Sequence, residues 1–226
     1  DRLVFDGKVA ARCMECHSTF MRVGRAVGGN ETFVRDQTIL GIGCERCQGP
    51  AAGHVAFHRL NPGEKTAREI INPARLSRKQ KLDNCALCHS GLRDNFLPSF
   101  TYVVGEALDQ YSSPVYSADS GATLDVHGNQ VGLLATSRCF RNSTMDCSSC
   151  HDVHVNESGQ LSKFSARCMS CHTPGTDRFC KQPALPGLHL EQNCIDCHMP
   201  ALPSGRIQIR SSEGQPDIPF TVRTHL

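Results

Sequence analysis

The chain has 226 residues, 20% of them charged, and a formal net charge of +2, a balance that points neither to a nucleic-acid surface nor to a membrane-binding basic patch. It contains no tryptophan and three tyrosines, so the flat apolar groups that ordinarily fill an interior are scarce. No run reaches the apolar length that spans a bilayer.

Taken in chain order, short elements gather around a recurring cysteine pair. Cys13-Met14-Glu15-Cys16-His17 comes first, followed by Cys44-Glu45-Arg46-Cys47-Gln48, the same spacing with glutamine where the first has histidine. A helix is expected to begin near Pro50 and to carry His54 and His58, four apart, on one face. Ser77-Arg78-Lys79-Gln80 has the form of a capping box and predicts a helix running through Cys85-Ala86-Leu87-Cys88-His89, with Gly91 placed to end it. In the longest interval between motifs, Phe100-Thr101-Tyr102-Val103-Val104 reads as a short strand, and the stretch from Leu124 through His127 to Val131 as a hairpin or tight turn. Short helices are expected at Cys147-Ser148-Ser149-Cys150-His151, Cys168-Met169-Ser170-Cys171-His172 and Cys194-Ile195-Asp196-Cys197-His198, the last stopped by Pro200. Arg206-Ile207-Gln208-Ile209-Arg210 alternates like an exposed strand, and the rest reads as loop. The fold class expected is mostly irregular chain with short α-helices and a few short β-strands. It forms one domain over residues 1–226, divisible into 1–95 and 96–226 with three motifs each.

Five complete Cys-x-x-Cys-His copies specify covalent haem c. Two cysteines three positions apart can each form a thioether with one vinyl group, and the next histidine then offers a ring nitrogen to the iron. Zinc sites need paired half-sites and have no use for histidine directly after the second cysteine each time. Twelve of the fourteen cysteines belong to the six pairs. The remaining two, Cys139 and Cys180, form either one disulfide or two thiols, the disulfide being favoured in an oxidising compartment. Porphyrins are expected to take the place of an aromatic core, and so many in so short a chain must pack closely. Each brings two propionates and, when ferric, about one positive charge, moving the oxidised protein with six haems to roughly −4. Haem attachment of this kind follows export, so the chain, starting at Asp1 without a leader, is expected to be a processed bacterial protein of the periplasm or cell surface.

A histidine census tests the ligation. Five histidines complete motifs: His17, His89, His151, His172 and His198. Six more, His54, His58, His127, His154, His189 and His225, are candidates for the far side of the irons. Six bis-histidine sites need twelve and the chain has eleven, a shortfall that matches Gln48. For Met14, Met21, Met145 and Met169 packing is the expected role, and Met199 cannot easily reach past its neighbour His198 to the opposite haem face. At Gln48 three accounts stand. Haem is attached through Cys44 and Cys47 with another ligand or a five-coordinate iron; or no haem is attached and the pair is a disulfide or thiol site; or the glutamine is an altered or misassigned residue. The expected complement is six haem c groups, or five if that site carries none.

Longer signatures extend the motifs: Arg12-Cys13-Met14-Glu15-Cys16-His17-Ser18, Gly43-Cys44-Glu45-Arg46-Cys47-Gln48-Gly49-Pro50 with His54-Val55, Val126-His127-Gly128-Asn129-Gln130, Cys147-Ser148-Ser149-Cys150-His151-Asp152-Val153-His154, and Asp196-Cys197-His198-Met199-Pro200. In these the chain resembles bacterial multihaem c-type cytochromes, particularly the family related to the tetrahaem cytochrome c of nitrifiers. The resemblance implies haems packed in alternating parallel and perpendicular pairs, and histidines from one segment ligating haems held by another, with His154 serving a neighbouring haem. It also implies roles as electron shuttles, respiratory subunits, extracellular filaments or nitrogen-oxide enzymes.

Two functions follow. The first is electron transfer without bond chemistry, as a shuttle or filament subunit, with redox proteins or identical subunits as partners, no nucleic acid, no transmembrane segment and at most peripheral membrane association. The alternative is reduction of nitrite, nitric oxide or hydroxylamine at an open haem near Cys44, Cys47 and Gln48, with Arg46 as the anion-binding residue.

Overall fold

Each cysteine pair sits at a turn of helix, and short connections hold those turns in place. The computed structural model describes residues 9–24, 30–91, 94–114, 129–182, 189–209 and 218–225. The chain divides into two units, Asp1–Val115 and Tyr116–Leu226. As the composition leads one to expect, the described residues form short helices, two two-stranded sheets and irregular chain.

In the first unit, helix α1 (Ala11–His17) runs directly into strand β1 (Ser18–Val23), which pairs antiparallel with β2 (Phe33–Leu40) through Phe20 opposite Ile39 and Met21 opposite Thr38. This hairpin corrects the reading of these residues as loop. One turn of helix, α2 (Glu45–Gln48), is closed by Gly49 at φ 77°, a left-handed conformation that glycine adopts without steric cost. Helix α3 (Ala52–Leu60) then carries His54 and His58, as expected.

Helix α4 (Arg78–His89) begins with the predicted capping box. The Gln80 backbone N–H donates to Ser77 Oγ, and the Ser77 backbone N–H donates to Gln80 Oε1 at 2.9 Å. It ends at Ser90, with Gly91 at φ 76°. The helix buries Asp83, Ala86 and Leu87, and Asp83 Oδ2 accepts from Lys79 Nζ at 2.8 Å and from the Leu108 N–H at 3.2 Å. Leu108, Tyr102 and Val104 complete the apolar interior of this unit with Ala11 and Met21.

Residues 100–104 are not a strand. Their burial does alternate, Tyr102 and Val104 inward and Thr101 and Val103 outward, but Phe100 stands at φ 69° and its N–H donates to Glu15 Oε1 at 2.8 Å, not to a neighbouring strand. A left-handed residue at the start and an amide bound to a side chain leave no ladder to join.

In the second unit, Asn129 caps helix α5 (Gln130–Thr136) by accepting from the Gly132 N–H at 3.0 Å. The expected turn over Leu124 to Val131 is therefore corrected at its end, where Gln130 and Val131 are helical; residues 124–128 lie outside the described residues. Helix α6 (Arg138–Arg141) follows, then a 3-10 turn at Cys147–Ser149, α7 (Leu161–Met169), a second 3-10 turn at Leu190–Gln192 and α8 (Cys194–His198). Strand β3 (Ala201–Ile209), which contains most of the strand read from the sequence, pairs antiparallel with β4 (Ile218–Arg223). Glu157 grips α7 through a two-pronged ion pair with Arg167, at 2.8 and 2.5 Å.

Among the described residues ten apolar side chains are buried and fifteen large ones are exposed, so the polypeptide alone does not cover its own apolar surface. No helix among them is long and apolar enough to cross a membrane.

Two tests address this framework. Ser77→Ala removes one half of the capping box and is expected to lower unfolding stability by about 1 kcal/mol, read from denaturant titration. The guanidinium of Arg167 and the Asp152 N–H hold the Glu157 carboxyl down to about 2 from its ordinary 4.5. Its contribution is therefore complete above about pH 4.5 and is lost as pH falls through about 2. Glu157→Gln is expected to flatten the dependence of the unfolding midpoint on pH across that window, measured at matched denaturant series from neutral to acid pH.

Candidate haem-attachment sites

The cysteine pairs are stitched to one another by polar side chains. In the first unit Arg46, inside the second pair, donates through Nη2 to the Glu15 carbonyl at 2.9 Å and lies 3.8 Å from its carboxylate; Glu15 is inside the first pair. Both side chains are buried, and the Arg46 guanidinium lies 5.5 Å from the Phe100 ring centre. Asn84, one residue before the third pair, donates to the Cys47 carbonyl at 3.3 Å. Arg12 donates to Cys16 Sγ at 3.0 Å and to the Gly91 carbonyl, just past His89, at 3.4 Å.

The second unit repeats the device. Arg167, immediately before Cys168, donates to the Cys150 carbonyl of the preceding motif at 2.6 Å as well as to Glu157. Ser165 Oγ donates to the Gln192 carbonyl at 2.9 Å, tying α7 to the turn that leads into Cys194. Arg223 of β4 pairs with Asp196, inside the last motif, at 2.6 Å. Sequence reasoning passed over these anchors. A signal was present in the identical Ala11-Arg12-Cys13-Met14 and Ala166-Arg167-Cys168-Met169, which put arginine before the first cysteine in both units.

In the first, third and last motifs at least one variable residue faces inward, and the motif histidines face outward. Glu15, Ala86, Leu87 and Ile195 are buried, whereas His17, His89, His151, His172 and His198 are all exposed. Exposed imidazoles beside partly exposed thiols fit attachment of a large apolar macrocycle. Where thiols are screened from water their pKa rises. Burial lifts Cys47, partly offset by Arg46, and lifts Cys150; burial and then the nearby Cys194, Cys150 and Cys139 push Cys168 up to about 11. Cys139 thus lies among the motif thiols of the second unit. Cys139 and Cys180 are both exposed and are not bonded to each other.

Several histidines have one ring nitrogen tied to an oxygen. His172 Nδ1 meets the Arg178 carbonyl at 2.6 Å, His54 Nδ1 the Arg68 carbonyl at 2.7 Å, and His225 Nδ1 meets Gln130 Oε1 at 2.5 Å. An Nδ1–H donated to a carbonyl fixes the tautomer and turns the Nε2 lone pair toward a metal, the usual outer-shell support of an axial imidazole. The His151 and His225 ring centres lie 6.0 Å apart at 36°. Two imidazoles on opposite sides of one metal, each about 2 Å from it, place their centres roughly 6 Å apart. His54 and His58 are closer, at 4.5 Å. His154 is exposed, its Nδ1 3.4 Å from Asp152, and His189 is exposed at the start of the Leu190–Gln192 turn. His127 lies outside the described residues.

The model of the cytochrome c554 and c-prime family matches residues 4–49, a region holding the first two cysteine pairs. Over 61 residues the chain is 38% identical to the multiheme cytochrome MtrA of Shewanella baltica (strain OS185), a match that covers 26% of this chain and 18% of that protein. The chain therefore aligns with under a fifth of that relative's length. No solved structure matches it. The five Cys-x-x-Cys-His turns agree with these similarities to multihaem c-type cytochromes.

Proposed function

We propose that the chain conducts single electrons through six covalently attached haems, most of them with two histidine ligands, in the periplasm or at the surface of a bacterium. Haem iron supplies the one-electron chemistry, and the protein's part is to hold, orient and insulate it. Cys13/Cys16, Cys44/Cys47, Cys85/Cys88, Cys147/Cys150, Cys168/Cys171 and Cys194/Cys197 make the thioethers. His17, His89, His151, His172 and His198 are the proximal ligands. Each unit carries three attachment sites.

The observation that best supports conduction through a bis-histidine haem is the His151–His225 pair. Its 6.0 Å separation is that of two axial imidazoles, and His225 is oriented by Gln130. An iron with both axial positions filled by protein has no place for a substrate to bind. A polymeric version of the conduit gains nothing from this pair, since both histidines belong to one chain. The enzymatic reading also lacks its anion-binding residue, because Arg46 is engaged with Glu15. Redox proteins or identical subunits are the partners of such a conduit.

His225→Ala is expected to leave the haem count, read by pyridine haemochrome, unchanged. It should convert one haem equivalent from the low-spin to the high-spin ferric signal in electron paramagnetic resonance, reversed by added imidazole. An unchanged spectrum would reject the pairing. Wild-type protein that shows no spectral shift with nitrite, hydroxylamine or cyanide supports conduction, and turnover of nitrite or hydroxylamine would replace it with the enzymatic reading.

A further inference from the structure

Gln48 deprives the second cysteine pair of the imidazole that the other five have, and a carboxamide is not among the usual axial ligands of haem iron. The structure brings a replacement close in the chain. Helix α3 starts at Ala52, and both it and Gln48 are fastened to the stretch around residues 68–71. The Ile71 N–H donates to the Gln48 carbonyl at 3.0 Å, and His54 Nδ1 bonds the Arg68 carbonyl. A Cβ on Gly53 would stand 3.2 Å from Glu69 Cβ, so α3 lies tight against the same stretch. The chain between them turns at Gly49, which is buried and left-handed.

On this helix His58 Nε2 is buried without a hydrogen-bond partner, and among the described residues no other histidine nitrogen is in that position. Buried ring nitrogens are ordinarily paired, so an orphan of this kind points to a partner of another sort. His54 and His58 cannot both flank this iron, because their ring centres are 4.5 Å apart, and it is the His58 nitrogen that is buried without a partner.

We propose that His58 is the protein ligand to the iron of the haem attached through Cys44 and Cys47, taking the place of the histidine missing at Gln48. This rests on the reading that the pair carries a haem. It has His58 fill one axial position in place of the missing histidine; with a second protein ligand on the opposite face this iron is six-coordinate and low-spin, a conducting site like the other bis-histidine haems. It also assigns the two histidines of α3 to two different jobs.

The test uses the full chain matured with haem. Intact mass and pyridine haemochrome give the number of haems, and ferric electron paramagnetic resonance gives the number of high-spin irons. The expected result is six haems in the wild type and in His58→Ala, with one haem equivalent becoming high-spin in the variant and returning to low-spin with added imidazole. The double variant His58→Ala/Gln48→His is expected to be low-spin without added imidazole, because histidine is restored next to Cys47. His58→Met keeps a ligand on α3 and should add a near-infrared sulfur-to-iron charge-transfer band. Six haems with no high-spin signal in His58→Ala would overturn the inference and leave the cytochrome reading intact. So would a high-spin signal that Gln48→His fails to remove, which would give His58 to another haem. A wild-type count of five would instead remove the haem from the Cys44/Cys47 pair.

Discussion

A Cys-x-x-Cys-His turn commits three of its five residues to the cofactor and leaves the protein two by which to hold it. The rest of the structure depends on that grip. Glu15 and Arg46 meet across two motifs, Ala86 and Leu87 are buried beneath a third, and Ile195 is buried while Asp196 pairs with Arg223 beneath the last. Where the two variable residues are serines, as in Ser148 and Ser149, the grip moves to the Cys150 carbonyl and is supplied by Arg167. The motif is thus an amphipathic turn, with a protein side and a cofactor side, and the protein side is fastened as often by charge and hydrogen bonding as by apolar contact.

Charge takes this part because so little apolar interior exists. Buried side chains such as Leu87, Leu108 and Leu133 are few, and Val153, Leu40 and Leu60 stand exposed. A small core cannot fix the angle of an imidazole ring on its own. Hydrogen bonds can, being directional. The repeated placement of a carbonyl on histidine Nδ1, at His172, His54 and His225, sets which nitrogen remains to face a metal and in which direction it points. Each unit has one arginine that precedes the first cysteine of a motif and ties it to a backbone carbonyl of another segment: Arg12 to Gly91 and Arg167 to Cys150.

Local signals were legible wherever the chemistry is local. The capping box at Ser77, the stop at Gly91, the helix bearing His54 and His58, and the strand before residue 210 all follow from residues within a few positions of one another. Alternation misled at residues 100–104, where burial has the period of a strand but the Phe100 amide is taken by Glu15, eighty-five residues earlier. The β1–β2 hairpin was overlooked because its burial alternates imperfectly, its pairing being interrupted by two register shifts. Gln130 and Val131 read as part of a turn, and the cap that makes them helical depends on one Asn129 side chain.

The sequence by itself carried the motifs that imply the cofactor, their positions and the single shortage of histidine, because thioether chemistry is confined to five consecutive residues and counting needs no geometry. The tertiary structure decided which residues hold those turns and which rings come together. Glu15 with Arg46, His225 with His151, and the buried, unpartnered nitrogen of His58 each depend on how the chain packs. The physical reason is that a covalent bond to haem is specified by neighbours in sequence, whereas an axial imidazole or a buried ion pair is specified by neighbours in space.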